Sequence, residues 1–318
     1  MRDFGIEAKL TRHHRVGSLL AGSFTLLVVM AALFGAGCGV KKTVRLQVPS
    51  RILKAKTATF QQLVTLVEDF GSKIQSLSST TMRVTFRSGR IEAGKLQQYR
   101  SVPGYVLLRR PDSIRLAVQN PLTKMPVLEL ASSGNPFSLW IPSDNKFYLG
   151  GNSIKELGVE GESSTPAFTA RPIDIFQAIL PPKLPVGVPG CRIAMEEDQD
   201  ATAKYYVLSA YKDAGDDRLM PVRKFWIERA DLAIARQQTY DAEGNLTGII
   251  HYANVSPAEG LLLPLSIRIA RPLDGYSMEL EFKNWRINPN LADDAFILTP
   301  PKGARRIQLI ERAKNKDS

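Results

Sequence analysis

The sequence predicts an α+β fold: a strongly curved antiparallel half-barrel of about ten or eleven strands, with helices covering its concave apolar face. From residue 82 onward, short runs alternate apolar and polar residues between turn sequences, which is typical of strands with one face in solvent. Only two segments show the three- and four-residue spacing of an amphipathic helix. A long sheet with one solvated face must bury the other by curving on itself, pairing with a second sheet or lying under helices.

The strand predictions depend on alternation within short runs. The clearest runs are residues 82–86, 114–118 and 278–282, in which every second residue is apolar. Asp274 and Gly275 predict a hairpin turn before the last of these runs. Residues 150–170 are rich in Gly, Ser and Glu and predict a long loop between the two halves of the sheet.

Two helices are predicted. The first begins after Thr57 or Thr59, either of which can cap it, and carries an apolar stripe from Phe60 to Leu77. The second begins at Pro172 and ends before residues 181–182, which are both proline. Proline is accepted in the first turn of a helix but ends a helix that reaches it later.

The N-terminal residues resemble an export signal. Basic residues precede an uncharged, largely apolar run over 16–37, which ends in Gly35, Ala36, Gly37 and Cys38. Small residues directly before a cysteine favour a bacterial lipoprotein signal, in which Cys38 is acylated and becomes the first mature residue. The position three before the cysteine, usually Leu, is Gly35 here. An uncleaved membrane anchor and simple secretion are the alternatives.

These patterns divide the chain into a signal peptide (1–37), a basic tether (38–56), a half-barrel domain (57–303) and a basic flexible tail (304–318). Loss of the signal removes four basic and two acidic residues, so the net charge of +11 falls to +9. A basic tether beside a lipid would add about 1 kcal/mol of attraction per charge to an anionic membrane surface. A solvated linker explains the charge equally well, and nucleic acid is not an expected partner of an exported protein.

The residue inventory does not favour catalysis. After the signal, the chain contains one histidine, His251, and one cysteine besides Cys38, Cys191. These numbers exclude a metal site built from several histidines or several cysteines. If Cys38 is acylated, Cys191 has no partner for an intrachain disulfide. No nucleophile elbow and no phosphate-binding glycine loop occurs in the sequence. We expect no enzyme activity, no metal and no cofactor apart from the lipid on Cys38, such as palmitate.

Several short motifs resemble the superfamily of the outer-membrane lipoprotein receptor LolB and the periplasmic lipoprotein carrier LolA. The resemblance spans about residues 58–300 in the order of its elements. It is carried by a strand, an Asn-Pro-Leu loop and a second strand over 114–130, by the helix at 170–181, and by residues 109–111 and 296–300. This chain has additional residues at 150–170, at 196–200 and beyond Gly303.

The resemblance implies an open half-barrel with a helical lid that holds the acyl chains of lipoproteins. It implies that Cys38 anchors the protein to a membrane and that Asn120, Pro121 and Leu122 form a membrane-insertion loop; an incidental exposed leucine is the alternative for Leu122. The expected partners are acylated lipoproteins or lipids, a periplasmic carrier protein and the membrane. We expect a monomer. Because Gly39 follows the cysteine, we expect the protein on the periplasmic face of the outer membrane; the inner membrane is the alternative.

The apolar residues of the alternating strands are the candidates for the lining of a lipid cavity. The alternative is that the same side chains interdigitate as an ordinary packed core. A filled core would favour a structural or interaction lipoprotein, or a sensor of envelope lipids or stress, over a carrier. The candidates are Met82, Val84, Phe86, Ile114, Leu116, Val118, Leu128, Leu130, Leu265, Ile267, Met278, Leu280 and Phe282.

Overall fold

A computed structural model of the protein describes residues 55–88, 97–155, 157–159 and 170–311. The predicted signal peptide, Cys38 and all but the last two residues of the predicted tether lie outside these ranges. Within the described ranges, none of the helices has the length and apolar character needed to cross a membrane.

The described residues form one open, curved, mostly antiparallel sheet of sixteen strands. The prediction of ten or eleven strands is therefore corrected. Three of the additional strands are too short or too charged to show alternation: β7, β15 and β16. The strands are β1 (Ser76–Ser88), β2 (Gln97–Arg109), β3 (Ser113–Gln119), β4 (Pro126–Ser132), β5 (Pro136–Ile141), β6 (Lys146–Gly151), β7 (Leu157–Val159), β8 (Cys191–Gln199), β9 (Lys204–Asp213), β10 (Leu219–Glu228), β11 (Ile234–Tyr240), β12 (Leu246–Ala258), β13 (Leu261–Arg271), β14 (Tyr276–Phe282), β15 (Arg286–Ile287) and β16 (Arg305–Glu311).

Most neighbours in the sheet are also neighbours in the sequence. The order is β7-β16-β6-β5-β4-β3-β2-β1-β14-β13-β12-β11-β10-β9-β8, and β15 pairs with β1. The β1–β14 pair joins the two halves of the chain, with Val84 opposite Leu280. This order keeps most connections short, as expected for an antiparallel meander.

The C-terminal strand corrects a second prediction. Residues 305–311, which the sequence places in a flexible tail, form β16. Its first four residues pair in parallel with β6, with Arg306 opposite Phe147, and its last three pair with β7. Ile307 and Leu309 are buried, so the centre of this basic stretch packs into the core. Residues 312–318 of the predicted tail lie outside the described ranges.

The first predicted helix is confirmed as α1 (Phe60–Lys73), but it ends earlier than predicted, because Leu77 of the predicted apolar stripe lies in β1. Thr59 forms a capping box with Gln62, in which each side chain bonds the other residue's backbone N–H. The buried face of α1 packs against β9 and β10 in a cluster that includes Leu63, Val67 and Phe225. The helix therefore covers apolar residues of the second half of the sheet.

The second predicted helix is confirmed as α2 (Pro172–Ile179). Its buried face includes Ile175 and Phe176 and belongs to the main apolar cluster of the sheet, and it contacts β3, β4 and β13. The carbonyl of Ala178, near its C-terminus, accepts a hydrogen bond from the Tyr252 hydroxyl at 2.8 Å. Complete covering of the concave face by helices stays a prediction.

Strand register places a continuous row of side chains across the buried face. Each member of the row lies opposite the next on the neighbouring strand, and all are buried. Only one of these seven residues is polar, Gln237. The row is Phe86, Met278, Ile269, Ile250, Gln237, Phe225 and Leu208.

Candidate functional site

An apolar pocket lies between the ends of strands β1 to β5. Its volume is about 570 Å³, including the part open to solvent. Ser143, in the turn after β5, is the one polar residue of the lining. The lining residues are Val84, Phe86, Val102, Leu116, Val118, Val127, Leu128, Ile141 and Ser143. A concave surface of this composition suits an apolar ligand.

The structure brings five of the thirteen cavity candidates to this pocket: Val84, Phe86, Leu116, Val118 and Leu128. Leu265 is partly buried against the core. The other seven are buried among the protein's own side chains: Met82, Ile114, Leu130, Ile267, Met278, Leu280 and Phe282. The interior is therefore largely filled, and the space for a ligand lies at the β1–β5 end.

Four lining residues, Val102, Val127, Ile141 and Ser143, were not predicted from the sequence. Val102 belongs to β2, which begins before the Pro103-Gly104 pair. Val127 and Leu128 are adjacent, and regular pleating would send them to opposite faces. The β3–β4 register shifts between Val118 and Gln119, close to this pair.

The loop between β3 and β4 lies beside this pocket and is organised by Asn120. The Asn120 side-chain oxygen accepts hydrogen bonds from the backbone N–H groups of Leu122 at 2.9 Å and Thr123 at 3.1 Å. The Asn120 backbone bonds both Met125 and Lys124, so the loop is closed at its base. Pro121 fixes its own φ angle between these contacts.

The loop presents apolar side chains to solvent. Leu122 is 90% exposed and Met125 is 66% exposed. Because the Asn120 side chain accepts from the Leu122 backbone, the loop conformation does not depend on the leucine side chain. The structure thus places the three predicted loop residues together, close to Val118 and Leu128, which pair with each other and line the pocket.

A polar cluster lies at a different place on the buried face, beneath α2. Asp174 of α2 bonds Arg171 through both oxygens, at 2.8 and 2.9 Å, and also lies 3.3 Å from Arg271. Arg271 in turn donates to Asp274 at 2.7 Å. All four side chains are largely buried. Although burial lowers the pKa of Arg271, the carboxylates beside it raise that pKa above its ordinary value.

Two tyrosines close to this cluster have raised pKa values. Burial raises the pKa of both Tyr252 and Tyr276. Both hydroxyls therefore stay protonated at neutral pH. Burial also lowers the pKa of Arg223 to about 10, which leaves its guanidinium charged at neutral pH.

His251 and Asp200 do not line the apolar pocket. His251 is exposed on β12, and its pKa is lowered by desolvation and by Arg236 and Arg268. Burial alone would raise the pKa of Asp200, but hydrogen bonds from Thr202, Ala203 and Tyr205 lower it to about 2. Asp200 thus stabilises the β8–β9 turn. Across the described ranges, no group of three or more His, Cys, Asp or Glu residues is arranged to hold a metal ion.

One family model matches a short part of the chain. Residues 258–310 match a family described as "Predicted periplasmic protein (DUF2092)". No curated protein matches the chain.

The chain is also similar to solved structures. A DUF1329 family protein from Desulfovibrio piger has 16% identity and a TM-score of 0.46, over 76% of this chain and 98% of that one. A LolA superfamily protein from Nitrosomonas europaea has 12% identity and a TM-score of 0.44, over 76% and 99%. A putative outer membrane lipoprotein-sorting protein domain from Vibrio parahaemolyticus has 12% identity and a TM-score of 0.43, over 74% and 94%. The resemblance identified in the sequence is to the superfamily named for the second of these. At these identities and TM-scores, the similarities assign no function to this chain.

Proposed function

We propose that this protein is a membrane-anchored lipoprotein of the bacterial envelope that binds acyl chains and accepts or transfers lipoproteins or other lipids. The observation that carries the proposal is the apolar pocket at the β1–β5 end, with the exposed Leu122 beside it. Each methylene buried from water contributes about 0.8 kcal/mol, so an apolar pocket lowers the barrier for moving an acyl chain through water without any chemistry.

The proposal assigns a role to each part of the chain. Cys38 carries the lipid anchor, and the basic residues after it contact anionic headgroups. Helix α2 acts as a lid over the buried face, which its contacts with β3, β4 and β13 support. The protein works as a monomer on the periplasmic face of the outer membrane, has no catalytic activity and needs no cofactor besides its lipid. A soluble periplasmic carrier delivers its cargo.

Filling the pocket tests this proposal. Val127 is a partly buried lining residue, so a tryptophan there occupies the pocket without replacing a fully buried core residue. We expect Val127→Trp to weaken binding of a fluorescent fatty acid by about tenfold or more, since two or more methylenes lose their apolar contacts. The measurement is a titration of the full-length protein, with thermal unfolding as a check of folding.

Val188→Trp is the matched control, because Val188 is 48% exposed and does not line the pocket. Its fatty-acid affinity should equal that of the wild type. A folded Val127→Trp protein that binds the fatty acid as well as the wild type would show that this pocket is not the acyl site.

A second candidate function is favoured by the packing of the interior. Seven of the thirteen candidate cavity residues are buried among other side chains, as in a structural or interaction lipoprotein with a filled core. Native mass spectrometry of protein purified from membranes separates the two functions. Co-purified acylated species support carriage, whereas a ligand-free protein that also binds no fatty acid supports the second function.

The anchor is tested separately. We expect Cys38→Ser to move the protein from the membrane fraction to the soluble fraction, because the thiol that carries the lipid is lost. Immunoblots of both fractions measure the change, and Cys191→Ser is the control, since Cys191 lies on β8 within the folded part. Membrane attachment that survives Cys38→Ser would instead support an uncleaved anchor.

A further inference from the structure

A second pocket, of about 260 Å³ with its solvent-open part included, lies beneath α2 and is polar. Its lining comes from α2 and from β11, β12 and β13. Asp174, Gln177, Gln237, Thr239 and Arg271 supply its polar groups. It is separate from the apolar pocket, with which it shares no lining residue.

Arg223 lies at the edge of this pocket. It is opposite Thr239 in the β10–β11 register, and its Nη2 lies 3.4 Å from the side-chain oxygen of Gln177. Its Nη1 is buried and has no hydrogen-bond partner among the described residues. A buried guanidinium nitrogen without a partner carries a large desolvation penalty, which an anion would offset.

The charges around the pocket leave Arg223 unbalanced. The two carboxylates, Asp174 and Asp274, are already paired with Arg171 and Arg271. No carboxylate among the described residues forms an ion pair with Arg223. The three arginines around the pocket thus carry one positive charge more than the two carboxylates neutralise. This excess charge is on Arg223, whose Nη1 has no hydrogen-bond partner among the described residues.

Gln237 adds a second polar group that is incompletely paired. Its side-chain oxygen lies 2.9 Å from the Tyr252 hydroxyl. Its side-chain nitrogen, Nε2, is buried and has no hydrogen-bond partner among the described residues. Gln237 is fully buried in a row that is otherwise apolar, between Phe225 and Ile250. A ligand that accepts a hydrogen bond in this pocket would satisfy the unpartnered nitrogen.

The backbone makes room for this arrangement at Gly248. A Cβ atom at this position would lie 2.7 Å from the Thr239 hydroxyl and 3.4 Å from Arg271 Nη1. A side chain at 248 would therefore displace the Thr239 hydroxyl and contact Arg271, both of which line the pocket.

We propose that the pocket beneath α2 binds an oxyanion, a carboxylate or a phosphate, whose charge is met by Arg223 and whose oxygens are near the amides of Gln177 and Gln237. The oxyanion is either a free anion or the head group of an acylated ligand; the second source rests on the function proposed above. Hydrogen bonds between a guanidinium and an oxyanion are charge-assisted and therefore strong.

The test compares ligands that differ only in charge or only in the alkyl chain. Full-length protein in phosphatidylcholine nanodiscs is titrated with inorganic phosphate, acetate, hexanoate and hexanol, with empty nanodiscs as reference. Carbon-13 NMR detects the labelled organic ligands and phosphorus-31 NMR detects phosphate. We expect hexanoate or phosphate to bind about tenfold or more tightly than hexanol, and Arg223→Met to remove that preference.

Three further comparisons make the outcome specific. Arg192→Met, on exposed β8, is the matched control and should retain the preference. Tighter binding of hexanoate than of acetate identifies an acylated head group, whereas equal binding identifies a free anion. If Arg223→Met does not fold, Arg223→Gln and Gln237→Leu are measured in its place.

The inference is overturned if none of phosphate, acetate and hexanoate binds, or if folded Arg223→Met binds all three anions as the wild type does. Its failure is distinguishable from failure of the proposed function. Fatty-acid binding that is sensitive to Val127→Trp but shows no preference for an anion would contradict only the oxyanion site. A preference for anions that depends on Arg223, together with fatty-acid binding that Val127→Trp leaves unchanged, would contradict only acyl binding in the apolar pocket.

Discussion

Asp174→Asn is expected to lower the free energy of unfolding by about 3–5 kcal/mol, because it leaves two buried guanidinium groups without their shared carboxylate. The Asp174 side chain is 11% exposed, and Arg171 and Arg271 are 15% and 8% exposed. Asparagine has nearly the same shape, so the loss is that of charge rather than of packing. Urea unfolding followed by circular dichroism measures the change.

Asp69→Asn is the matched control for this prediction. Asp69 pairs with Lys73 at 2.7 Å on the surface of α1, where both side chains are substantially exposed. Surface pairs of this kind contribute about 0.3–0.5 kcal/mol, so the control should differ little from the wild type. Equal stability losses in the two variants would mean that the buried network contributes no more than a surface pair.

The fold was predictable where one local signal determined the structure. Alternation in β1, β3 and β14 reported which residues are buried, and Met82, Leu116 and Leu280 lie in the core. Thr59 and Pro172 marked the starts of both helices because capping and the first helical turn are local effects.

Other elements depend on distant partners and could not be predicted in this way. The basic sequence of β16 predicts a flexible tail. It forms a strand because it pairs with β6 on one side and with β7 on the other. β7 has only three residues, too few to show a period. The Asp174 network joins α2 to the end of β13, a contact that no local pattern reports.

The candidate site was predictable in part for the same reason. Alternation identifies which residues of a strand share the buried face, and five of those residues line the apolar pocket. It does not report which buried residues leave space between them. The position of the open space depends on the register shift beside Val118 and on the end of β5 and its following turn, where Ile141 and Ser143 line the pocket.

Leu122→Glu is expected to reduce delivery of an acylated cargo to liposomes by about tenfold or more, while uptake of the cargo changes little. A leucine side chain that leaves water for the membrane interface contributes about 1.5–3 kcal/mol, and a carboxylate loses that contribution. The side chain is 90% exposed, and the loop is organised by hydrogen bonds from the Leu122 and Thr123 backbone to Asn120. Loop conformation and stability should therefore be unchanged.

The experiment separates two steps with one substitution. Uptake is measured as the affinity for a fluorescent acylated peptide, and delivery as the rate at which loaded protein transfers that peptide to liposomes. Leu273→Glu is the matched control, because Leu273 is also exposed, at 67%, but lies in the turn between β13 and β14. Equal loss of uptake and delivery in Leu122→Glu, or the same loss of delivery in Leu273→Glu, would contradict a membrane-insertion role for this loop. A selective loss of delivery would mean that the pocket holds the acyl chain and that the neighbouring leucine opens its route into the bilayer.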